Sequence, residues 1–188
     1  KSKSVLHDPI LFSGTSNGIY VDVALQYTSK TYNETILSFV NNVRTRDGGT
    51  HETGFKSGIT KAFNEYARMK KLIKEKDPNL EGVDIREGIT AVLSVRIPES
   101  ILQFEGQTKS KLGSADAKPS VEALVAEKMK FYLQENAEVA NILINNTKNQ
   151  CINNCNGRTF CCCKYTANNT ANNNNDQRKC RNSFNCCC

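Results

Sequence analysis

Apolar and polar residues alternate from Ile19 to Gln26, with Ile19, Val21, Val23 and Leu25 on one side and Tyr20, Asp22 and Gln26 on the other. A period of two is that of a strand with one buried face. The polar stretch SKTYNE follows as a turn. TILSFVNNV, residues 35–43, reads as a second strand, so the two predict an antiparallel hairpin. Gly48 and Gly49 interrupt the pattern, and the period then lengthens. Phe55, Ile59, Ala62, Phe63, Tyr66 and Ile73 recur at helical spacing, which predicts an amphipathic helix to about Glu75, ended by KDPNLEG. Asp84 and Glu87 have the spacing of a capping box for one short turn. Ile89, Ala91, Leu93, Val95 and Ile97 give the clearest strand alternation in the chain. After a polar loop, Pro119 stands where a helix can begin, and AEVANILINNT, residues 137–147, continues or restarts it. The order β-β-α-β-loop-α predicts an α/β architecture with helices on one side of a mixed sheet.

Composition changes this picture only near residue 150. Up to that point 20 Lys/Arg oppose 18 Asp/Glu, so any affinity for nucleic acid has to come from a local patch. Residues 151–188 hold all nine cysteines and eleven asparagines with almost no aliphatic side chains, too little apolar surface to offset chain entropy. We expect a disordered tail there, and the abrupt change fits an out-of-frame translation. Cys151 and Cys155 have zinc-ligand spacing, but the tail has neither a second such pair nor a histidine. The basic start KSKSVLHDPILF is broken by Asp8 and Pro9, so it is not a signal peptide, and no apolar run approaches a membrane span. The expected compartment is cytoplasmic, with no membrane partner.

Catalytic chemistry is sparse. His51 and Glu52 beside the glycine pair could suggest acid-base work, yet a lone histidine at a helix start is most often a structural hydrogen-bonding residue. The first 150 residues contain no cysteine nucleophile. GTSNG lacks the lysine of a phosphate-binding loop.

Three longer stretches carry a resemblance: SFVNNVRTRDGGTHETGFKSGITKAFNEYAR, DIREGITAVLSVRIPE and QFEGQTKSKLG. Together they resemble the second domain of the ATPase half of bacterial type IIA topoisomerases. The likeness runs in order over residues 5–150, with LHDPILFSGTSNGIYVDVALQY as a leading hairpin, and is closer to the B subunit of topoisomerase IV than to that of gyrase. It implies a transducer domain, an α+β two-layer sandwich of the ribosomal-protein domain 2-like type with a left-handed β-α-β crossover. That hand runs against the general rule for such connections. The implied organisation is a lead-in over residues 1–17, the transducer with its C-terminal helix over 18–150, and the tail over 151–188.

The same resemblance implies the site residues. Gln107, Thr108 and Lys109 match the family's QTK loop, whose lysine reaches the γ-phosphate of ATP held by a preceding ATPase domain. Arg46, together with Arg44 and Lys56, matches the wall of the cavity through which DNA passes. Implied partners are DNA, the A subunit of topoisomerase IV, and a second copy of the chain's own parent subunit. Mg²⁺ belongs to the intact enzyme and is not expected to bind here. The ATPase, TOPRIM and tyrosine motifs of the family are absent from the chain. It therefore reads as an internal fragment of an ATP-hydrolysing topoisomerase, inactive alone, in which Lys109 is solvated. The rival reading is a standalone regulatory module of this fold that binds DNA or an ATPase domain in trans.

Overall fold

The computed structural model describes residues 5–29, 33–73 and 78–154, with side chains to residue 147. In chain order the elements are β1 (Ile10–Ser16), β2 (Ile19–Tyr27), β3 (Thr35–Val40), β4 (Val43–Arg44), α1 (Thr50–Met69), α2 (Gly82–Arg86), β5 (Ile89–Arg96), β6 (Phe104–Glu105), β7 (Lys111–Leu112), α3 (Ala117–Glu135) and α4 (Ala137–Asn154). Five strands form one sheet in the order β1-β2-β5-β3-β4, while β6 and β7 form a separate two-stranded ladder. This is the mixed α/β fold that the alternation predicts.

The hairpin expected between residues 19–27 and 35–43 does not form. β5 lies between β2 and β3, antiparallel to the first and parallel to the second. The partner that β2 reaches by a tight turn is β1, across Asn17–Gly18, where both residues have positive φ (49° and 76°). That geometry suits the twist of an antiparallel ribbon and favours Asn-Gly. A second pair of left-handed residues, Asn41 and Asn42, turns β3 into β4. The Asn41 side chain also accepts from the Ile97 amide and donates to its carbonyl, extending the sheet past the end of β5.

The buried face of the sheet is the predicted one, with Ile19, Val21, Val23, Leu25 and Tyr27 of β2 and Ile89, Ala91, Leu93 and Val95 of β5 all buried. Phe55, Ile59, Phe63 and Tyr66 of α1 and Val121, Val125, Met129 and Leu133 of α3 complete this core. The alternate residues of β5, Thr90, Val92 and Arg96, are exposed. The helices thus cover one side only, as expected for a sheet with one solvated face.

α1 and α3 approach closely because Gly54 and Gly58 lie one turn apart on α1. A Cβ at Gly54 would stand 2.5 Å from the Lys118 carbonyl oxygen, and one at Gly58 2.8 Å from that of Glu122.

Helix boundaries depart from the periodicity in four places. α1 ends at Met69 and not near residue 75, because Lys71 takes a left-handed φ of 54°. The Leu72 amide then donates to Ala67 and the Lys71 amide to Arg68, a Schellman closure that returns Ile73 to the core. The capping box also fails. Asp84 lies inside α2, whose N-cap is Glu81, and Glu87 is its C-cap. α3 starts two residues before Pro119, whose missing N–H is still one of the four that a helix start leaves unpaired. α4 restarts after Asn136 and runs to Asn154, four residues into the segment expected to be disordered. The remainder of that tail, with Cys155 and the later cysteines, lies outside the described residues.

Candidate functional site

Residues 103–114 form a small hairpin whose base is fixed by Ser114. Its hydroxyl donates to the Ile101 carbonyl and accepts from the Gln103 amide, both at 2.8 Å. β6 and β7 then pair through only two residue pairs, Phe104 with Leu112 and Glu105 with Lys111. Gly106 (φ 77°) and Lys109 (φ 52°) turn the tip. Gln107, Thr108 and Lys109 are all exposed there. The Lys109 ammonium sits 6.0 Å from the Phe104 ring centroid, the outer limit of a cation–π contact. Among the described residues it makes no ion pair, whereas its neighbour Lys111 is bound to Glu105 at 2.8 Å.

Arg46 lies more than 60 residues earlier in the chain, yet its turn is joined to this hairpin. The Asp47 amide donates to the Ser110 carbonyl at 3.0 Å, and the Leu112 amide donates to Gly48 at 3.1 Å. The Ser110 hydroxyl donates to the Asp47 carboxylate at 2.5 Å, and Gly49 pairs with Leu112 in a parallel bridge. A Cβ at Gly49 would fall 2.4 Å from the Leu112 carbonyl oxygen, so only glycine allows the two backbones to meet. Thr50 adds a hydroxyl bond to the Ser114 carbonyl at 2.7 Å.

The other side of the Arg46 turn is held from within. Thr45 is buried, its amide donates to Ser38, and its hydroxyl meets both Ser38 Oγ at 2.8 Å and His51 Nε2 at 3.1 Å. Arg46 is therefore an exposed side chain on a short stretch fixed at Thr45 and again at Asp47. His51 is fully buried, and its Nδ1 has no hydrogen-bond partner among the described residues. Burial lowers its pKa to about 4, so the ring is neutral near pH 7. Fully buried, and with no carboxylate among the described residues on its ring nitrogens, it fits a structural role over acid-base chemistry.

The remaining two candidate cations are placed differently. Arg44 pairs across from Phe39 and through it aligns with Ser94, on the sheet face away from the helices. Lys56, on α1, is bound by Glu34 at 2.6 Å and Glu52 at 3.0 Å. Burial alone would lower its pKa, but these two carboxylates outweigh it and raise the value. Glu34 also holds Arg86 at 2.8 Å. Burial would raise the Glu34 pKa, and the two cations together bring it below the ordinary carboxylate value. Lys56 thus carries compensated charge, in contrast to Lys109.

A cleft of about 420 Å³ lies between the Gly48–Gly49 turn and the hairpin, with Glu52, Lys56, Glu105, Lys111 and Lys118 on its walls. Among the described residues no group of three or more His, Cys, Asp or Glu side chains gathers to hold a metal, and no helix is long and apolar enough to cross a membrane. Sequence reasoning named the tip and the arginine but missed Asp47, Ser110 and Gly49, which join them. The only sequence trace of that junction is the second glycine of the pair, which a simple chain reversal would not require.

The chain matches the family model described as DNA gyrase B over residues 1–156. It is 59% identical over 144 residues to the B subunit of DNA topoisomerase 4 from Staphylococcus epidermidis, and 60% identical over 144 residues to that from Staphylococcus aureus. Each alignment covers 77% of this chain and 22% of the relative, so the chain spans about a fifth of the length of these proteins. Among solved structures it is similar to the 43K ATPase domain of Thermus thermophilus gyrase B in complex with an aminocoumarin. There the TM-score is 0.71 at 38% identity, covering 78% of this chain and 39% of the other. It is also similar to the topoisomerase IV ATP binding domain of Francisella tularensis, with a TM-score of 0.64 at 28% identity, covering 74% and 38% of the two chains.

Proposed function

As the chain belongs to the DNA gyrase B family, we propose that it is the transducer domain of the B subunit of a bacterial type II topoisomerase, either topoisomerase IV or gyrase. In this reading, residues 18–150 relay the ATP-bound or ADP-bound state of a preceding ATPase domain to the passage of a DNA strand. The β3-α1-β5 connection is the left-handed crossover of the transducer fold. The intact protein works in the cytoplasm on DNA, together with a second copy of itself and the A subunit of topoisomerase IV, and uses ATP and Mg²⁺.

The observation that carries this reading is the exposed tip of Gln107, Thr108 and Lys109 in a chain of this family. When bound, ATP supplies a terminal phosphate that hydrolysis removes. An ammonium on a long stem is a compact donor for such a group and loses its partner when the phosphate leaves. Among the described residues Lys109 has no carboxylate to give up first, and it stands at the left-handed turn of the hairpin tip. Gln107 and Thr108 precede it in the turn, and the Thr108 hydroxyl donates to Ser110 Oγ at 3.2 Å. Arg46, exposed on its fixed turn, contacts DNA phosphate without reading sequence. Arg44 and Lys56 contribute less, since the first lies on the sheet face away from the helices and the second is already paired.

The test is ATP turnover by the complete protein with Lys109→Ala. The expected outcome is a fall in turnover of about tenfold or more, the worth of one hydrogen bond to a charged group, with an unchanged circular dichroism spectrum. Unchanged turnover removes the lysine from the mechanism.

A further inference from the structure

We propose that the Asp47–Ser110 contact and the two backbone bonds around it form a latch that couples the Lys109 hairpin to the Arg46 turn. This rests on the reading of Lys109 and Arg46 given above. Lys109 directly precedes Ser110, and Arg46 directly precedes Asp47. Each side chain assigned to a ligand is therefore one residue from the junction. The hairpin has only two pairs of its own between β6 and β7, but it shares the Asp47 amide bond, the Leu112 amide bond, the Ser110 hydroxyl bond and the Gly49 bridge with the turn. A shift of the tip that preserves these bonds carries the Arg46 turn with it. Thr45 and Ser114 are the fixed ends on either side, held by Ser38 and His51 and by Ile101 and Gln103.

Coupling between two sites is reciprocal. A phosphate that fixes Lys109 biases Arg46, and DNA that engages Arg46 biases Lys109 to the same extent. The latch gives bound DNA a route to the Lys109–phosphate contact, and ATP turnover with and without DNA reads that route. Ser110 and Asp47 are positioning residues here, acting through their neighbours and not by touching nucleotide or DNA.

The experiment uses the complete protein, reconstituted with the A subunit into the holoenzyme, and measures ATP turnover with and without linear duplex DNA. Ser110→Ala and Asp47→Ala are expected to keep turnover without DNA within about twofold of the parent and to reduce the stimulation by DNA at least fivefold. The double variant should be no worse than either single one, because both remove one bond. Ser110→Thr, which keeps the hydroxyl, should restore stimulation. Full stimulation in both alanine variants overturns the latch, as does an equal loss with and without DNA. Lys109→Ala measured alongside separates the two claims. If its turnover falls while the latch variants keep full stimulation, the latch alone is wrong. If its turnover is unchanged, the reading beneath it is wrong.

Discussion

Replacing Gly49 by alanine should damage the protein far more than replacing Gly48, although the two are adjacent. Gly49 has φ 138° and ψ −163°, a region that only glycine occupies without strain, and a side chain forced there costs about 1–3 kcal/mol. Its new Cβ would also lie 2.4 Å, 2.6 Å and 2.8 Å from the oxygen, nitrogen and Cβ of Leu112. Backbone cannot yield as a flexible side chain can, so Leu112, fully buried at 0% exposure, must move. Even partial loss of its burial forfeits a fraction of the roughly 1.5–3 kcal/mol that such a leucine contributes. A total near 3 kcal/mol follows from these two costs together. Gly48 has φ 69°, and a Cβ there meets only the carboxylate end of Glu52, at 2.6 Å, which can swing aside. Its cost is the left-handed strain of about 1–2 kcal/mol, and less for asparagine. Urea unfolding of both variants measures the difference, and hydrogen exchange at the Leu112 amide, which bonds to Gly48, shows where it acts. Equal destabilisation by the two substitutions would refute the docking of the hairpin on the glycine pair.

Two further outcomes follow from the packing. His51 titrates at 6.5 in the unfolded chain and at about 4 when folded. Below pH 6.5 the unfolded state takes up a proton that the folded state refuses. Stability should therefore fall as pH drops from about 6.5 to 4, by up to about 3 kcal/mol at 1.36 kcal/mol per unit. His51→Gln, which cannot titrate, should flatten that part of the urea-midpoint profile, and an unaltered slope would contradict the assignment. Gly54→Ala gains about 1 kcal/mol of helix propensity but forces a methyl to 2.5 Å from the Lys118 carbonyl. Overpacking of this kind costs about 1–3 kcal/mol. The melting temperature should fall, and a rise would mean that α1 and α3 can separate freely.

The strands of the core were legible because one face of each is buried and alternation records that directly. β2 and β5 are the examples. Pairing was harder to read, since a half-buried strand looks the same beside either neighbour. The decisive signal for β1 and β2 was local, Asn17–Gly18, whereas β3 next to β5 depends on a crossover through α1 that no short stretch records. The end of α1 escaped because a lysine, Lys71, takes the left-handed position usually given to glycine. Asp84 and Glu87 show the opposite failure, a spacing that matches a motif while the helix begins elsewhere. The candidate side chains at the tip and the turn came from the family resemblance that long motifs carry. Their junction through Asp47, Gly49 and Ser110 joins segments more than 60 residues apart, and apart from the second glycine nothing in the local sequence marks it.

The role proposed for Lys109 is to distinguish ATP from ADP. The most direct measurement is the affinity of the complete protein for a non-hydrolysable ATP analogue and for ADP, in the parent and in Lys109→Ala. A hydrogen bond to a charged group contributes about 1.5–3 kcal/mol, roughly a 10- to 100-fold preference. The substitution should lower the preference for the analogue by that factor and leave ADP binding unchanged. An undiminished preference would contradict it.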